Sequence, residues 1–142
     1  MARFLLHGAS AEGWRQAEGL ALDVIKRHPR HHQAHHILAQ VRRHAGDAEG
    51  EAEALRFAVD SASCDPYVLL QYASVLQDLG QDATATEVCR RLLDEFGGDG
   101  EVVKDVTILA RKKRLPGIEE PLRLALERSR ENVILETQLQ NP

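Results

Sequence analysis

The apolar residues of this chain recur with a period of 34 residues, and this period constrains the fold more than any other feature of the sequence. When the sequence is shifted against itself by 34 positions, Phe4, Leu38, Tyr72 and Val106 fall in one column. Three further columns are Leu5, Ala39, Ala73 and Thr107; Leu20, Ala54, Val88 and Leu122; and Val24, Ala58, Leu92 and Leu126. The repetition predicts four units of equal length over residues 1 to about 130. Together these units would form one short repeat array.

Within each unit the apolar spacing predicts two amphipathic helices and no strand. Between residues 34 and 45, the residues Ala34, Ile37, Leu38, Val41 and Ala45 form one apolar stripe on a helix. Asp65 and Pro66 are typical of a helix start, and Gly46 and Gly80 of helix ends. The predicted helices cover about 2–10, 14–28, 30–45, 48–62, 66–79, 83–96, 100–114 and 118–130.

The third unit shows the pattern of large and small residues most fully. Its first helix carries Leu69, Tyr72, Ala73 and Leu76, Gly80 follows at the turn, and its second helix carries Ala85, Cys89 and Leu92. In this pattern and in its period the chain resembles the tetratricopeptide repeat (TPR) family, strongly in the middle units and loosely at the ends. The fourth unit departs from the pattern, because Arg114 stands where a glycine is expected.

The resemblance implies an all-α fold, a right-handed α-solenoid of about four helix–turn–helix repeats in a single domain. The repeats would cover about residues 1–29, 30–64, 65–98 and 99–131. Residues 132–142 are expected to form a tail or a C-terminal capping helix, with Val133, Ile134, Leu135 and Leu139 on its apolar side.

In that family the first helices line a concave groove that binds a peptide or a protein. The residues opposite the core stripe of each first helix are therefore the candidate groove residues. They are Gln33, His36, Gln40, Arg43 and His44 in the second unit, Tyr67, Leu70, Ser74, Gln77 and Asp78 in the third, and Lys104, Ile108, Arg111 and Lys112 in the fourth. This groove is polar with a basic end, which favours a partner with acidic segments. Alternatively, the basic run 111–114 is a solvated helix end near the negative end of the helix dipole.

Histidines are concentrated between residues 28 and 36. His31 and His35, and likewise His32 and His36, are four residues apart and share a helix face, which makes them weak candidates for a metal site. No Asp or Glu lies among them, and a polar helix face explains them equally well. We therefore predict no metal and no cofactor.

The composition excludes several classes of protein. Lys and Arg number 18 against 22 Asp and Glu, for a net charge of -4, which argues against a nucleic-acid-binding protein. No segment approaches the run of about 20 apolar residues that a membrane helix needs. Two cysteines, Cys64 and Cys89, favour reduced thiols in a cytoplasmic protein. No glycine-rich phosphate loop or nucleophile elbow is present, so we expect no enzymatic activity.

The sequence thus predicts a cytoplasmic, non-enzymatic scaffold or adaptor that binds a protein or peptide partner. Three alternatives stay open. The chain is an accessory region of a larger enzyme or assembly, or it forms a homo-oligomer through Val133, Ile134, Leu135 and Leu139, or its histidines store or sense a metal.

Overall fold

The structure, a computed structural model, describes residues 10–61, 64–113 and 115–140. All regular secondary structure in these residues is helical, and they contain no strand, which confirms the all-α prediction. The helices are α1 (Ala11–Arg27), α2 (His32–His44), α3 (Ala48–Ala58), α4 (Pro66–Asp78), α5 (Asp82–Phe96), α6 (Gly100–Lys112) and α7 (Glu119–Gln140). None of them combines the length and the apolar character needed to cross a membrane.

The helix ends follow local capping chemistry. α1 begins three residues earlier than predicted, because the Ser10 hydroxyl accepts a hydrogen bond from the Gly13 amide (3.3 Å) and so caps the helix. α7 continues to Gln140, so the part of the predicted tail that the structure describes is continuous with this helix. The predicted helix 2–10 lies outside the described residues, apart from Ser10.

Three helices recur at the period of the sequence. α2, α4 and α6 are each 13 residues long and begin at residues 32, 66 and 100. The turns after α2 and α4 are alike, since Gly46 (φ 76°) and Gly80 (φ 77°) both adopt the left-handed conformation. The hydrogen bonds are Gly46 N to Arg43 O and Asp47 N to Arg42 O in the first turn, and Gly80 N to Gln77 O and Gln81 N to Leu76 O in the second. Both turns are Schellman motifs, which satisfy the last carbonyls of the helix before them.

The chain divides into two compact units, Met1–Val68 and Leu69–Pro142. In the first unit α2 packs between α1 and α3, and the small residues Ala34 and Ala39 are buried in that contact region. In the second unit α6 packs against α5 and α7, and Cys89, Leu92 and Val106 are fully buried. Within each unit these packed helices thus cover one another's apolar stripes, because a single helix has no means of burying its own.

Replacing Gly46 by Ala is expected to destabilise the protein by about 1 kcal/mol, since a Cβ strains the left-handed backbone. The added methyl group itself would have no neighbour within 4 Å, so the cost is conformational. The matched control is Gly19→Ala in the exposed interior of α1, which should stabilise by up to about 1 kcal/mol because Ala is the better helix former. Urea unfolding monitored by circular dichroism measures both changes. Equal stabilities of Gly46→Ala and the wild-type chain would contradict the importance of this turn.

Candidate functional site

In the first compact unit of the structure, Met1–Val68, the predicted groove residues of the second sequence repeat lie along α2. Gln33, Arg43 and His44 are exposed, and His36 and Gln40 are half-buried. The Gln40 side-chain amide donates to Nε2 of His36 (3.0 Å), so these two side chains are joined. The exposed His44 ring stacks on Trp14 of α1, with the ring centres 4.1 Å apart and the planes 9° from parallel. The sequence does not predict this contact, because helical periodicity relates positions along one helix and not between two.

A surface cleft of about 660 Å³ adjoins the beginning of α2 in the same unit. Its lining residues are Arg30, His31, His32, Gln33, His36, Ala58, Ser61, Cys64, Asp65 and Val68. Two predicted groove residues, Gln33 and His36, therefore share a cleft with residues that follow α3. Sequence reasoning missed this juxtaposition because Ser61, Cys64 and Asp65 belong to the irregular connection between two helices, which has no periodicity to predict their direction.

Each of the four candidate metal-binding histidines contacts another part of the protein. Nδ1 of His31 accepts from the Ala34 amide (3.1 Å) and caps α2, and Nε2 of His32 donates to the Asp60 carbonyl. His35 is buried, donates from Nε2 to the Pro29 carbonyl (2.7 Å) and stacks on Phe57. Among the described residues, no three His, Cys, Asp or Glu side chains are grouped so that they could hold a metal ion. The contacts give these histidines structural roles.

In the second unit, the exposure of Gln77 differs from that of the residues 34 positions before and after it. Arg43 and Arg111 are exposed, but Gln77 is buried. Its side-chain amide donates to the carbonyls of Leu109 (2.8 Å) and Lys113 (3.0 Å) at the end of α6. The Leu109 carbonyl also accepts from the Lys113 amide (3.4 Å), so the Gln77 side chain adds hydrogen bonds at the end of α6 and joins α4 to α6. A buried Gln77 is not available to a partner at the surface, unlike the other predicted groove residues of α4.

The basic run at the end of α6 is divided between paired and unpaired charges. Lys112 contacts Asp78 (Nζ to Oδ1, 3.3 Å), and Lys113 contacts Asp82 (3.2 Å). Both pairs are at the surface, where each contributes at most about 1 kcal/mol. Arg111 is exposed and makes no ion pair with any described residue, and Arg114 lies outside the described part of the chain.

One face of α6 carries an apolar side chain between two cations. Lys104, Ile108 and Arg111 follow one another at helical spacing, all three are exposed, and Ile108 retains 55% of its accessible surface. Within residues 64–113 and 115–140, Lys104, like Arg111, has no ion pair. We call these three residues the α6 stripe. The half-buried Leu70 and Ser74 lie on α4 in the same unit, whereas the exposed Tyr67 belongs to the first unit.

Among the described residues, Cys89, Glu120 and Arg123 have shifted pKa values, and none of the three lies in the cleft or the α6 stripe. Burial raises the pKa of the Cys89 thiol to about 11, so this thiol stays protonated and unreactive at neutral pH. On α7, a hydrogen bond and the charge of Arg123 lower the pKa of Glu120. Arg123 also contacts Glu127 (2.7 Å), which completes a surface ion-pair ladder along one helix face.

Replacing His35 by Ala is expected to cost about 2 kcal/mol or more, because the change leaves a cavity beside Phe57 and removes a buried hydrogen bond. The adjacent variant His36→Ala should cost less than about 1 kcal/mol, since His36 is half-buried. Urea unfolding in the presence of a chelator measures both. Similar losses for the two variants, appearing only when Zn²⁺ is added, would instead support a metal site.

Two surfaces described above could contact a ligand, namely the histidine-lined cleft in the first unit and the α6 stripe in the second. Comparison of the chain with protein-family models, with curated proteins and with solved structures finds no match.

Proposed function

We propose that this chain is a TPR-like helical-repeat module that binds a peptide segment with acidic and apolar side chains. Three 13-residue helices at a 34-residue period, two of them ending in the same glycine-centred turn, support the repeat assignment. The proposal also includes a right-handed solenoid and a non-enzymatic role as a scaffold. A cytoplasmic location is part of the proposal too, and the two free thiols support it.

The α6 stripe is the observation that carries the proposed specificity. An isolated exposed Ile is common on protein surfaces, but Ile108 lies between two cations whose charges no described residue neutralises. A peptide carboxylate would pair with Lys104 or Arg111, while an apolar side chain of the same peptide would cover Ile108. Such pairing favours association and specificity, and salt would weaken it.

The electrostatics of the chain favour a peptide over a polyanion. The whole chain carries a net charge of -4, so a nucleic acid would be repelled by most of its surface. Beside the α6 stripe, Asp78 already neutralises Lys112. Two unpaired cations are sufficient for one or two carboxylates of a peptide and too few for a continuous phosphate backbone.

A random-peptide display library selected against the full chain tests the proposal directly. We expect the selected peptides to be enriched in Asp and Glu next to an apolar residue. Lys104→Glu/Arg111→Glu should weaken the Kd of such a peptide about tenfold or more, because two attractive pairs become repulsive. Fluorescence anisotropy at low and high salt measures this change.

The matched control is Arg90→Glu/Arg130→Glu, which changes the net charge equally at two exposed positions of the second unit outside the α6 stripe. This variant should bind the selected peptides with a Kd within about threefold of the wild-type value, since distant charges are screened. Equal Kd values for all three proteins, or selected peptides without an acidic bias, would contradict the proposal.

A further inference from the structure

The histidine-lined cleft of the first unit carries one cation and one anion on separate segments of the chain. Arg30 directly precedes the beginning of α2, and Asp65 lies in the connection between α3 and α4. Among the described residues that line the cleft, these are the only Lys, Arg, Asp or Glu side chains. Both are exposed, and neither forms an ion pair with the other or with any described residue. The cleft therefore presents two opposite charges that no described side chain neutralises.

Hydrogen bonds fix the anionic side of the cleft. Nε2 of His32 donates to the Asp60 carbonyl, so the beginning of α2 is joined to the segment that follows α3. Oδ1 of Asp65 accepts from the Tyr67 amide (2.8 Å), which holds the carboxylate at the start of α4. Oδ2 of Asp65 makes no hydrogen bond to a described residue. A cationic ligand group would therefore meet a carboxylate whose position is already set, which lowers the cost of binding.

A second hydrogen-bond donor lies beside Arg30. Nδ1 of His31 accepts from the Ala34 amide (3.1 Å), so the proton of the neutral imidazole is on Nε2. His31 is exposed and lines the cleft directly after Arg30 in the chain. Its Nε2–H and the Arg30 guanidinium are the donors that a carboxylate at this end of the cleft would meet.

The lining also includes apolar groups that would suit an apolar part of a ligand. Ala58 is buried, Val68 is half-buried, and the buried Cys64 thiol donates to the Asp65 carbonyl (3.5 Å). A simple anion would be attracted by Arg30 but repelled by Asp65, and a simple cation the reverse. A molecule that carries both charges gains two attractions, so the charge pattern favours a zwitterion.

We propose that the cleft binds a small zwitterion, with its carboxylate at Arg30 and His31, its ammonium group at Asp65 and an apolar side chain against Ala58 and Val68. A free apolar amino acid and the termini of a short peptide share this chemistry. The volume of about 660 Å³ falls in the range typical of small-molecule sites. This proposal does not depend on the proposed function, because the α6 stripe belongs to the second unit.

NMR titration of the isotope-labelled full chain with L-leucine, N-acetyl-L-leucine, L-leucinamide and leucyl-leucine tests the proposal. We expect saturable shifts of the backbone amides of His32 and Gln33. L-leucine should bind about fivefold or more tightly than N-acetyl-L-leucine, which lacks the ammonium group, and than L-leucinamide, which lacks the carboxylate. Leucyl-leucine keeps both charges, so its affinity relative to that of L-leucine distinguishes a peptide from a free amino acid.

Two variants separate the roles of the charges. Arg30→Met should weaken the binding of L-leucine about fivefold, but L-leucinamide should bind equally well or more tightly, since a repulsion is removed. Asp65→Asn should likewise weaken L-leucine but not N-acetyl-L-leucine. The asparagine can still accept from the Tyr67 amide, so the start of α4 is kept. A purely structural role of either residue would not produce this crossed pattern.

The chain offers a matched control for each variant. Arg15→Met changes an exposed arginine of α1 outside the cleft, and Asp99→Asn changes the aspartate that caps α6 in the second unit. Both variants should bind L-leucine with a Kd within about twofold of the wild-type value, since distant charges are screened. The same holds for Lys104→Glu/Arg111→Glu, so a failure of the proposed function and a failure of this proposal are distinguishable.

Three results would overturn the proposal. One is the absence of saturable shifts with both L-leucine and leucyl-leucine. Another is an equal loss of affinity for every ligand in Arg30→Met and Asp65→Asn. The third is a shift of the α6 stripe amides in place of those of His32 and Gln33, because the ligand would then bind elsewhere.

Discussion

The left-handed glycines at the ends of α2 and α4 impose the constraint on which the spacing of the helices that follow them depends. Gly46 and Gly80 end their helices at the same position, and the residue after each glycine donates back to the helix just finished. An L-residue would have a steric cost in this conformation, so glycine favours a turn at these two positions. Because the helix and the turn before them have the same length, α3 and α5 begin 34 residues apart. The buried residues of α3 and α5 therefore fall at equivalent positions of the 34-residue period.

The elements most accurately predicted from the sequence are those with unambiguous local signals. α4 begins at Pro66 as predicted, because a proline fits the first turn of a helix and Asp65 accepts from the Tyr67 amide (2.8 Å). α3 ends at Ala58, about four residues before its predicted end, because apolar residues continue beyond the helix. Val59 is buried although it lies outside the helix, so periodicity alone overestimates the helix length.

Two polar side chains are buried because their hydrogen-bond partners lie outside their own helix. His35 occupies the column of Leu69 and Val103, a core column, and it is buried there because the Pro29 carbonyl accepts its N–H. Gln77 is buried because the carbonyls of Leu109 and Lys113, at the end of α6, accept hydrogen bonds from its side-chain amide. A helical wheel of one helix contains neither acceptor, so the sequence predicts only that such residues prefer the surface. The solenoid arrangement and the groove remain predictions.

Comparison of residues at equivalent positions of the 34-residue period distinguishes two kinds of exposed apolar residue. Leu20 belongs to a column whose members Ala54 and Val88 are buried, so its exposure is an exception in a core column. Ile108 belongs to the column of Gln40 and Ser74, which are polar and half-buried, so packing within the repeats gives no reason for an apolar residue there. An apolar side chain in a polar column carries no advantage for folding and exposes apolar area to water. Its position between Lys104 and Arg111 is therefore better explained by a binding partner than by the core, whereas Leu20 is better explained by the core than by a binding partner.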